Sequence, residues 1–136
     1  MRNVIKLLSA AALLGTFAIA PTTYAAKPAE DSVVSKNFKQ VGRTLRGLRS
    51  AETADDVAKI LTKVKKFSEK NRDEIPTVLG ANSPKLADYT KGMDNFIAKV
   101  DEALKLAEAG DKDGAMKIVS TFRETKQKAH KHFEVD

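Results

Sequence analysis

The stretch PKLADYTKGMDNFIAKVDEALKLAEAG, residues 84–110, decides the secondary-structure class of the chain. Leu86, Tyr89, Met93, Phe96, Ile97, Val100, Leu104 and Ala107 recur mostly at steps of three and four, so they share one face of a helix. Ser83-Pro84 is a helix start, with Ser83 as the cap and Pro84 at the first helical position. Gly110 is the residue that ends a helix in a left-handed conformation. The spacing therefore predicts a helix from Pro84 to about Ala109.

The same period extends outward in both directions. Upstream, Val34, Phe38, Val41, Leu45 and Leu48 predict a first helix over Asp31 to Arg49. A short link, Ser50-Ala51-Glu52-Thr53, follows, and either Thr53 or Ser50 can cap the next helix. Val57, Ile60, Leu61, Val64 and Phe67 predict a second helix over Ala54 to Lys70. Pro76 and Gly80 break the loop from about Asn71 to Asn82. Downstream, Ala115, Ile118, Val119, Phe122, Ala129 and Phe133 predict a fourth helix over Lys112 to Phe133. The alternation that marks strands is missing. Four amphipathic helices joined by two short links and one longer loop pack most simply as an all-α, antiparallel up-down-up-down four-helix bundle. A three-helix bundle with a detached first helix is the alternative.

The N-terminus reads as an address. Arg2 and Lys6 precede a 14-residue apolar stretch, Leu7 to Ala20, which is too short to span a bilayer comfortably. Thr23-Tyr24-Ala25 places small residues at the −3 and −1 positions of a cleavage site before Ala26. Residues 1–25 are thus expected to be a removed secretory signal, with 26–136 as the mature domain and the periplasm as its destination. Removal takes two cations and no acids, so the formal charge falls from +6 to +4. That modest charge, spread over Lys-rich helices, gives no reason to expect nucleic acid as a partner. No membrane association is expected once the signal is gone.

Composition narrows the chemistry. There is no cysteine, which excludes disulfides, thiolate metal sites, thiol catalysis and covalent c-type haem attachment. The two histidines, His130 and His132, are too few for a multi-histidine metal site. No nucleophile–base pair, glycine-rich phosphate loop or carboxylate–histidine metal motif is visible, so an enzyme is not expected. A step of three or four links Val119, Phe122, Lys126, His130 and Phe133, which puts His130 beside the buried seam. His132 lies about 200° further round and faces elsewhere. Six aromatic residues after the leader (Phe38, Phe67, Tyr89, Phe96, Phe122 and Phe133) make a thin core, which a bound apolar cofactor would stabilise.

Four segments carry a family resemblance: Val100 to Gly110, Val57 to Lys63, Leu45 to Ala51 with its linker, and Phe122 to His130. With these, the chain resembles the soluble cytochrome b562 family over nearly all of its mature length. The resemblance implies one non-covalent haem b per chain, held between helices near one end of the bundle. It implies a methionine on the first helix and a histidine late in the fourth as iron ligands. The histidine falls on His130; the methionine position is occupied by Phe38. A family phenylalanine on the third helix is replaced by Met93, which makes Met93 a candidate second axial ligand, or else ordinary core filler. Phe38, Val41, Phe96 and Lys126 are the expected pocket residues, with Lys126 standing where the family has an arginine. Met116 is expected to point away from the pocket.

The expected function is that of a small periplasmic electron carrier, monomeric, with a redox protein as partner. Two alternatives stay open. One is a five-coordinate haem protein that binds small gases. The other is a haem-free binding or interaction module.

Overall fold

A computed structural model describes residues 32–77 and 79–133, all helix, turn or loop, with no strand among the described residues. The proposed leader, residues 1–25, lies outside them. Helix α1 spans Val33–Arg46 and continues into a tighter 3-10 turn at Gly47–Ser50. Helix α2 spans Ala54–Arg72, α3 Leu86–Glu108, α4 Lys112–Val119 and α5 Phe122–Phe133. Along the chain α1 packs on α2, α2 on α3 and α3 on α4, while α5 leans on α3. The architecture is the four-helix bundle, its fourth member divided into α4 and α5.

The helix ends show why the chain turns where it does. Thr53 caps α2: its hydroxyl accepts the N–H of Asp56 at 3.1 Å, and the Asp56 carboxylate accepts the N–H of Thr53 at 3.1 Å. This reciprocal box satisfies donors that no helical carbonyl can reach. At the end of α3, Gly110 adopts φ 87°. The N–H of Asp111 then reaches the carbonyl of Leu106 at 2.8 Å and that of Gly110 reaches Ala107 at 3.0 Å, a Schellman closure.

Three boundaries differ from the sequence reading. Asn71 and Arg72 belong to α2 rather than to the loop. Ser83-Pro84 makes a turn ahead of α3 instead of its first residues: Ser83 Oγ accepts the N–H of Lys85 at 3.2 Å, but regular helix begins at Leu86. The predicted fourth helix breaks at Ser120-Thr121. There the Ser120 hydroxyl donates to the Lys117 carbonyl at 2.6 Å and the Thr121 hydroxyl to Ile118 at 2.7 Å. Two adjacent hydroxyls bonded back to the preceding turn compete with the backbone ladder and bend it.

The core is continuous from the 3-10 turn to the middle of the bundle. Val41, Leu48, Val57, Leu61, Val64, Val100, Ala103, Ala107, Ala115 and Phe122 form one buried cluster. Most are small, which lets the helices approach closely, and each fully buried Val or Leu contributes about 1.5–3 kcal/mol. Met116 packs against this cluster, on the α4 half of the fourth helix. Two predicted core positions are exposed: Phe38 at 43%, and Ala129. The reason is common to both. Each lies on the stripe of its helix, but beyond the point where the helices close around one another.

Candidate functional site at the open end of the bundle

The end of the bundle away from the 3-10 turn is tied together by polar contacts. Asn71, at the end of α2, is fully buried and donates from Nδ2 to the carbonyl of Val34 on α1 at 3.2 Å. Tyr89, near the start of α3, donates from its phenol to the carbonyl of Asn71 at 2.8 Å. Phe133, at the end of α5, meets Tyr89 edge to face with ring centroids 6.2 Å apart. His132 Nε2 lies 3.1 Å from Asp88 Oδ2, and Lys85 Nζ donates to the His132 carbonyl at 3.0 Å. Arg72 pairs with Asp94 through Nε at 2.6 Å, and this bond holds the Asp94 carboxyl below its usual range.

These contacts fix which residues share a level. One turn inward from Val34, Asn71, Tyr89 and Phe133 come Phe38, Phe67, Met93 and His130. They form one layer, with one residue from each wall of the bundle. The next layer inward contains Val41, Val64, Phe96 and Lys126. Phe96 meets Phe122 there with centroids 5.0 Å apart. The residues expected from the sequence therefore occupy two successive layers. Met93 and Val41 are buried, His130 and Phe96 half-buried, and Lys126 exposed on the flank of α5.

This end is less well filled than the rest. Val34, Tyr89 and Met93 are buried but stand outside the continuous core cluster. The exposed large apolar side chains, Val33 at 54%, Phe38 at 43% and Ile75 at 48%, all lie here. So do two buried polar atoms with no hydrogen-bond partner, Asn37 Nδ2 and Asn71 Oδ1. Helix α1 follows α2 closely, whereas α5 has Phe122 as its one buried residue and little hold on α1. At this end α1 and α5 are therefore joined less closely than the neighbouring helix pairs, with exposed apolar side chains beside two unpartnered amide atoms. By contrast, the shallow hollow lined by Gly47, Ala51, Asp56 and Ile60 opens at the other end and holds no ligand-type side chain beyond exposed charges.

A family model for cytochrome b562 matches residues 33–134. The chain belongs to the cytochrome b562 family. A Yersinia pestis protein described as "probable soluble cytochrome b562 2" is 37% identical over 62 residues. That match covers 43% of this chain and 48% of the relative, so it spans about half the length of the curated protein. No helix among the described residues is long and apolar enough to cross a membrane.

Haem is a wide apolar ring with a polar edge and an iron that accepts imidazole. The unfilled apolar end, the orphaned amide atoms at its margin and a half-buried histidine in its layer fit such a group. Sequence reasoning missed the Asn71–Tyr89 tie. A signal for it existed: Asn71 stands seven residues after Val64, a polar residue in step with the buried stripe.

Proposed function

We propose that the chain is a haem b protein of the periplasm that carries single electrons between protein partners and is not an enzyme. The observation that carries this reading is the shared layer of Phe38, Phe67, Met93 and His130 at the unfilled end of a cytochrome b562-type bundle. His130 is the iron ligand, presenting a neutral imidazole nitrogen from α5. Phe38, Val41 and Phe96 exclude water from the ring, and Lys126 offers a charge to a carboxylate at its edge as a flexible point donor. Bound haem supplies a one-electron iron couple whose potential follows the axial ligands and the dryness of the site. One haem per monomer is expected, and residues 1–25 direct export.

The test is a hemin titration of the purified protein alongside His130→Ala. Wild type should give a sharp Soret band saturating at one equivalent. The variant should lose the band or bind about tenfold or more weakly. No band with wild type supports the haem-free interaction module instead, and a band unaltered by the substitution removes His130 from the site.

A further inference from the structure

We infer that the outward face of α1, with the adjoining flank of α2, is a docking surface for a carboxylate-rich patch on another protein. This rests on the electron-carrier reading above and gives the carrier's partner its chemistry. Between Val33 and Ala51 the chain has five cations and no acid. Four of them, Lys36, Lys39, Arg43 and Arg46, recur at steps of three, four and three, so they fall within about 80° of one another on the helix. That arc lies opposite the buried Val34 and Val41, and all four side chains are exposed. The charge is therefore concentrated on α1 rather than spread over the helices.

Helix α2 extends the same sign. Its Asn71 bonds to Val34, and its Ile60 lies against Gly47, so the two helices run antiparallel with Lys63 level with Arg43 and Lys70 level with Lys36. Both lysines are exposed, on the side of α2 away from Lys65 and Arg72, which turn to α3 and pair there with Asp101 and Asp94. None of these six cations has an ion pair or side-chain hydrogen bond among the described residues. The acids of α2 are engaged: Asp55 pairs with Lys59, Asp56 closes the Thr53 cap, and Glu69 lies by Lys65. Glu52 and Glu74 stand beyond the two ends of the patch.

The cationic arc carries no apolar side chain that could enter a bilayer, as a membrane-seated helix requires. Lys36 to Arg46 covers about 15 Å, and the step across to α2 is about 8–10 Å. A face that small suits the brief, low-area encounters from which an electron carrier must depart after each transfer, with opposite charge speeding the approach. Phe38, 43% exposed, precedes Lys39 by one residue, so a partner seated on α1 borders the candidate site.

The experiment is calorimetric titration of the purified protein with poly-L-glutamate, a chain of protein carboxylates. Wild type should bind at about 20 mM salt and weaken by about tenfold or more at about 200 mM. Lys39→Glu/Arg43→Glu should weaken binding by about tenfold or more, and Lys63→Glu/Lys70→Glu reads the same face independently should the first variant fail to fold. Lys91→Glu/Lys105→Glu makes the same change of net charge on the outside of α3 and should alter binding by less than about threefold. Equal weakening by α1 and α3 variants, or no binding at low salt, overturns the inference. So does tighter binding to vesicles of about 30% phosphatidylglycerol in phosphatidylcholine, which would make a lipid surface the occupant. Hemin binding is read separately from the Soret titration, so its failure removes the electron-carrier reading while leaving the docking face to stand or fall on its own titration.

Discussion

Tyr89→Phe tests how the open end of the bundle is held. The phenol donates to the Asn71 carbonyl at 2.8 Å. Burial, helped by the charge of Glu74, pushes its pKa from 10.0 up to about 12. At about pH 9 the proton is present in folded and unfolded chains alike, and the hydrogen bond contributes about 1 kcal/mol. The Asn71 carbonyl keeps a second donor, the N–H of Glu74 at 3.3 Å, so the substitution orphans no acceptor and the loss stays at the low end. Near neutral pH this lowers the melting temperature by about 4–8 °C. Above pH 10 the unfolded chain gives up the phenol proton first. The native state then binds more protons, and stability falls as pH rises toward 12. By about pH 11 that linkage amounts to about 1.4 kcal/mol, enough to offset the hydrogen bond. Urea unfolding followed by circular dichroism should therefore show wild type ahead by about 1 kcal/mol at about pH 9, and level with or behind the variant by about pH 11. Lysine titration affects both proteins alike and cancels in the difference. A difference that stays constant over this range would refute the burial of the phenol and the layer assignment built on it.

Other substitutions probe the remainder of the fold. Leu61→Ala empties a fully buried site at the centre of the core and should destabilise by about 2–5 kcal/mol in urea, a large share of a small domain's total. Thr53→Ala removes the α2 cap and should lose about 1 kcal/mol. In the same variant the Asp56 carboxyl, held low chiefly by Thr53, should titrate at higher pH by NMR. Its contribution to stability in wild type is present at neutral pH and disappears as pH falls through the depressed pKa. Gly110→Ala meets no atom within 4 Å, so its effect is the left-handed backbone alone, about 1–2 kcal/mol, read as a lower urea midpoint with unchanged slope.

The sequence announces the helices because their stripes are local facts. Thr53 with Asp56, and Gly110 after Ala109, mark ends that need nothing beyond their own neighbours. The break at Ser120-Thr121 was not legible, since serine and threonine are tolerated in helices and only their back-bonding reveals the bend. Phe38 shows another limit. Its spacing reports the face it shares with Val34 and Val41, but not whether a fourth wall closes over that face. Asn71 needs tertiary partners, Val34 and Tyr89, that no window of sequence contains. His130 was legible as a residue beside the seam. Its company in one layer with Phe38 and Met93 follows only from the contacts at the bundle's end.

The divided fourth helix makes α5 a limb with its own elbow. Phe122 anchors it near the joint, and the Tyr89–Phe133 ring pair latches its tip. A guest bound through His130 would add a grip between those two points, so binding the guest and seating the limb would become a single event. Protection of the α5 amides against hydrogen exchange would then serve as a gauge of occupancy, legible even where colour is not.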